Sequence, residues 1–170
     1  MLPEKINLRP ILLLLLLYEA KSKLITGKTR LQKLLFLLQE EQIKLPVFTF
    51  KAYKYGPYSE EVDDTVESLS FKDFIEVDKA NFLLSGKGST IIEKKLKSKY
   101  SDLVEKARRI ISSFGSLNDE LLLLYVYTKY PQYTIKSEIK GEMQQIAKKY
   151  FRVLQKKADE FGFKEEELGK

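Results

Sequence analysis

The chain opens on an apolar run, Ile11 to Leu17, that is hydrophobic on every side of a helix rather than along one stripe. A helix of that kind is buried all round, so the pattern predicts a central core helix over about Leu8 to Lys21, with Pro10 in its first turn, where a missing N–H costs nothing. The run is too short to cross a bilayer, which needs about 20 apolar residues. Glu19 stands where a signal-peptide cleavage site wants small neutral residues. A cytoplasmic protein is expected, with no membrane partner.

Leucines at 31, 34, 35 and 38 mark one face of a second helix, opened by Gly27 and by Thr29 and Gln32 at capping-box spacing. From Val47 to Tyr55 the period changes to two, which suits an extended segment that Gly56-Pro57 ends. Ser59 is then the expected N-cap of a third helix, with Glu60 and Glu61 complementing the positive end of its dipole. Val62, Val66 and Leu69 form its inner edge. Two short strands, Phe74 to Val77 and Asn81 to Leu84, read as a hairpin. A fourth helix starts in "LSGKGSTIIEKKL", and a fifth spans about Ser101 to Ser113. Ser116 and Asp119 open a further helix that Pro131 stops. A long last helix, about Ser137 to Phe161, carries Met143, Ala147, Tyr150, Leu154, Ala158 and Phe161 at three- and four-residue steps. The expected fold is mainly α with a small β-hairpin: a winged-helix-like core over 1–100 and a C-terminal helical extension over 101–170.

Composition removes more chemistry than the motifs add. Among 170 residues there is no histidine and no cysteine, which excludes Ser-His-Asp and Cys-His nucleophile systems and zinc sites of Cys/His type. A carboxylate site for magnesium or calcium lacks any recognisable ligand spacing. No enzyme and no cofactor are expected. The net charge of +6 is unevenly spread: residues 1–58 carry +6, residues 59–82 carry −6, residues 83–115 carry +5 and the remainder +1. A basic total points to nucleic acid, with Lys28, Arg30, Lys33, Lys79 and Lys87 as the candidate contacts to double-stranded DNA. The acidic stripe points elsewhere. Glu60, Glu61, Asp63, Asp64 and Glu67 would repel phosphates if the third helix entered a groove, whereas they suit a basic protein partner. Residues 42–58 also separate the second and third helices, where a helix-turn-helix has three or four. Tyr53, Tyr55 and Tyr58 between lysines could stack single-stranded bases, although packing of the turn explains them more simply; with the five carboxylates they are the candidate protein contacts. Tyr125, Tyr127, Tyr130 and Tyr133 fit a core, or a homodimer seam with the last helix.

Two blocks together, "TRLQKLLFLLQE" and "FKAYKYGPYSEEVDDTVESL", resemble the Panacea and YwgA-like group of small prokaryotic proteins, and "LYVYTKYPQYTIKSEI" resembles a downstream Tyr-Pro block of YwgA-like sequences. "FLLSGKG" resembles the second wing strand and next helix start of winged-helix regulators. The winged-helix likeness implies a DNA-binding transcriptional regulator, which is the leading expectation. The Panacea likeness implies an antitoxin or proteolytic-adaptor module working through protein contacts, with a cognate toxin as partner.

Overall fold

The computed structural model describes residues 6–21 and 25–160, without the side chains of 154 and 157–160. Helix α1 (Leu8–Ala20) is capped by Asn7, whose side chain accepts from the Arg9 N–H, and it buries Leu12 to Tyr18 and Ala20. Each such leucine is worth roughly 1.5–3 kcal/mol relative to exposure, and α1 is the axle around which the other elements pack. Strand β1 (Ile25–Thr26) leads to α2 (Lys28–Leu37), which continues as a π-helical turn, Leu38–Ile43. Strands β2 (Lys51–Tyr53) and β3 (Gly56–Tyr58) pair antiparallel, and α3 (Glu60–Phe71) follows. Strands β4 (Ile75–Asp78) and β5 (Asn81–Leu84) form the expected hairpin, with Ile75 opposite Leu84 and Asp78 opposite Asn81.

β1 was not foreseen. Two residues are too few to show a period, yet they pair with β5 and complete a sheet of order β1-β5-β4. The succession α1-β1-α2-β2-β3-α3-β4-β5 is mainly helical with small antiparallel sheets, as expected. It leaves β4 as an edge strand.

Helix α4 (Gly86–Ile91) is capped by Ser85, whose hydroxyl accepts from the Gly88 N–H, and runs through a π-helical turn, Ile92–Leu96, into the short α5 (Lys97–Lys99). Then come α6 (Ser101–Phe114), α7 (Asp119–Lys129), a 3-10 turn at Pro131–Tyr133, and α8 (Lys140–Glu160). Asn118, not Ser116, caps α7, through the Leu121 N–H. The last helix begins three residues later than its apolar stripe suggests, because Pro131–Tyr133 and two further turns use up the intervening chain. Its expected end at Phe161 lies outside the described residues.

The expected C-terminal extension packs into the same core as the first hundred residues. Val104, Ala107, Ile110 and Ile111 of α6 and Leu122 and Val126 of α7 belong to the same hydrophobic cluster as Leu12 to Leu17, and α6 lies along α1. At the start of α4 a Cβ on the buried Gly88 would stand 2.1 Å from the Phe74 carbonyl oxygen. That neighbour is backbone and cannot swing away. Gly88→Ala is expected to destabilise the protein by about 2–4 kcal/mol, read as a lower urea midpoint with unchanged m-value.

Candidate functional site

The stretch Phe50 to Asp64 folds by returning on itself. Lys54 and Tyr55 make the turn between β2 and β3, so Gly56-Pro57 does not end the extended segment but begins the returning strand. Gly56 has φ of +85°, and a Cβ there would lie 3.1 Å from the Tyr127 ring and 3.4 Å from Lys33 Cε. The left-handed conformation is what calls for glycine here, and a side chain would also press on the Tyr127 ring.

Helix α2 holds this returning strand by two consecutive side chains. Gln32 donates from Nε2 to the Ser59 carbonyl at 2.9 Å and accepts the Ser59 N–H on Oε1 at 3.0 Å. The two partners fix which way the amide faces. Lys33 donates from Nζ to the Pro57 carbonyl at 2.9 Å. The capping box of Thr29 and Gln32 is therefore not formed: α2 starts at Lys28 after Gly27, with no side-chain cap, because Gln32 is buried and committed to Ser59. Ser59 occupies the N-cap of α3 as expected, but its hydroxyl is buried and makes no hydrogen bond.

The charges of α3 divide into used and unused ones. Glu61 accepts from Arg9 and from the Thr49 N–H, and Glu60 pairs with Lys51. Asp63 takes hydrogen bonds from Lys28, Tyr58 and Gln32; its bond to Lys28 is the main reason that ammonium titrates above the usual lysine range. Asp64 and Glu67 are exposed, and no hydrogen bond or ion pair reaches them among the described residues.

The five cations expected to contact DNA are not brought to one surface. Lys33 is only 2% exposed, and burial alone pushes its ammonium down to about 7; placing it on a DNA face is corrected, since the bond to Pro57 holds it inside. Arg30 reaches Asp119 at 2.9 Å and the Gly115 carbonyl at 2.8 Å, tying α2 to the loop before α7. Lys28 is occupied by Asp63. Lys87 donates to the Lys72 carbonyl and lies over the Phe74 ring. Lys79 alone of the five stands at a free tip, on the β4–β5 turn with φ of +55°.

Of the aromatic candidates, Tyr58 is half-buried and leans on Tyr53, ring centroids 5.0 Å apart, while Tyr53 and Tyr55 are exposed. The downstream tyrosines serve the interior. Phe36 meets Phe50, Tyr130 and Tyr133 edge-on at 4.9–5.1 Å. Tyr125, Tyr130 and Lys129 all donate to Glu41. Burial pushes the Glu41 carboxyl up, but those three bonds outweigh it and hold the group below the usual carboxylate range. The Tyr-Pro block thus docks on the end of α2.

Sequence reasoning missed a groove of about 460 Å³ between α3, α2 and the β4–β5 hairpin. Val66, Phe71, Val77 and Phe82 line it, and Lys28, Asp63 and Glu67 rim it. Phe71 is 89% exposed and Val77 44%. The available signal was two apolar residues left over from the α3 and β4 patterns, Phe71 and Val77, amid Asp73, Glu76 and Asp78.

The chain matches no family model and no curated protein. Among the described residues no group of three or more acidic side chains is arranged to hold a metal, and no helix is long and apolar enough to cross a membrane.

Proposed function

We propose that the protein is a non-enzymatic module that holds a protein partner, as a Panacea-like antitoxin or proteolytic adaptor would, and that the groove beside α3 is where it does so. The observation that carries this reading is the pairing of exposed apolar side chains, Phe71 and Val77, with the unpaired carboxylate of Glu67 at the groove's rim, Asp64 standing three residues earlier on α3, where it lines the neighbouring cavity with Arg9 and Lys72. Apolar area supplies affinity in such a surface, and the charges select and steer a basic partner. β4 offers free backbone groups beside the groove, so an extended partner segment could add to the sheet.

A second reading, a winged-helix transcriptional regulator, draws on the strand order and on Lys79 at the hairpin tip. Against it stand the carboxylates of α3, which would face phosphates if that helix docked in the major groove.

Tagged wild-type protein and the D64K/E67K variant, used as baits in a host lysate, separate the readings. A partner retained by the wild type and bound about tenfold or more weakly by the variant supports the holding module. Salt-dependent binding of double-stranded DNA that K79E/K87E abolishes, with no captured protein, supports the regulator.

A further inference from the structure

Two surfaces of this chain carry opposite charge and unspent apolar area. One is the groove beside α3. The other is the second half of α8. The first half of α8 packs on α7 and buries Met143 and Ile146, but Phe151 is 64% exposed and Val153 47%. At 100° per residue, Lys148, Arg152 and Lys156 fall between Phe151 and Val153 on the side away from Met143 and Ile146. All three are exposed, and among the described residues none of them is paired with a carboxylate. The result is an outward helix face with a basic centre and Phe151 at one edge, Val153 lying round toward Ile146.

We propose that this face of α8 seats in the α3 groove of a second copy, and reciprocally, giving a two-fold dimer. Lys148, Arg152 and Lys156 would meet Glu67 on the groove's rim and Asp64 three residues before it on α3, while Phe151 packs against Phe71 and Val77. Charge complementarity selects this occupant over the same groove on the partner. Two α3 grooves face to face would oppose carboxylates to carboxylates, and two α8 faces would oppose cations to cations, each of which is unfavourable. A reciprocal contact uses both surfaces twice and closes, so it ends at two copies rather than growing into a filament. The dimer shares its groove with the proposed partner site but does not depend on partner capture.

Analytical ultracentrifugation of the full chain at low salt tests this by charge exchange. Wild type is expected to be a dimer that weakens as salt rises. K148E/R152E/K156E and D64K/E67K are each expected to be monomers. Mixed in equal amounts, they are expected to form a heterodimer, because reversed α8 then meets a reversed groove while native α8 meets a native one. A monomeric wild type, a dimer that survives either reversal, or a mixture that stays monomeric overturns the proposal. Both variants change only exposed side chains, and unchanged thermal unfolding shows that they fold. The α8 variant leaves the groove intact, so its capture of a partner in the lysate experiment reports on the holding function separately from self-association.

Discussion

Replacing Lys33 by methionine is expected to flatten the alkaline stability profile. In the folded chain burial holds this ammonium near 7, against 10.5 for an ordinary lysine. Between those values the unfolded chain binds the proton and the folded chain does not, so the free energy of unfolding rises with pH through that window. Below pH 7 both states are protonated and the full cost of burying the charge is present. The difference of about three and a half units corresponds to roughly 5 kcal/mol across the full window. The methionine variant keeps most of the volume, loses the bond to the Pro57 carbonyl and has nothing to titrate. Urea unfolding of both proteins at pH 6.5 and pH 10 should show the wild type gaining on the variant by about 3–4 kcal/mol. Parallel profiles would show that Lys33 is solvated and free of Pro57.

Gln32→Leu is expected to destabilise the protein by about 1–3 kcal/mol, although leucine suits the surrounding helix. It removes both bonds to Ser59; the carbonyl keeps the Val62 N–H at 3.3 Å, but the buried Ser59 N–H is left without a partner, at a cost of about 1–3 kcal/mol offset in part by the added apolar contact. Ser59→Ala, by contrast, is expected to change stability by less than about 0.5 kcal/mol, since the hydroxyl it removes makes no bond. An ordinary N-cap would lose about 1 kcal/mol on the same change. Equal losses at the two positions, measured by chemical denaturation, would mean that Ser59 caps α3 by its side chain and that Gln32 is incidental.

The elements with long apolar periods were legible in the sequence: α1 by its unbroken leucines, α2 and α6 by their stripes, and the β4–β5 hairpin by its alternation and the Asp78-Lys79-Ala80 break. β1 escaped because two residues show no period, and the packing of α6 and α7 into the core around α1 was not legible because a shared core is a property of packing, not of local pattern. The misreadings at the candidate site have one cause. Gln32 and Lys33 look like a capping residue and a surface cation on their own helix, and only the returning strand, 24 to 27 residues later, shows that they serve its backbone. That contact also accounts for the two motif blocks occurring together: the Gln-Lys pair of one holds the Gly-Pro-Tyr-Ser turn of the other. The acidic stripe was visible in the sequence, but which carboxylates are spent inside the molecule and which face outward was not.

The most direct measurement is calorimetric titration of the captured partner into three forms of the protein: wild type, D64K/E67K and Y53A/Y55A. If the Gly-Pro-Tyr-Ser turn is a folding device and the groove beside α3 is the working surface, charge reversal weakens binding by about tenfold or more, whereas truncating the two exposed tyrosines changes it by less than about twofold. Binding that survives the groove reversal and collapses with the tyrosines would place recognition on the turn and contradict this assignment of roles.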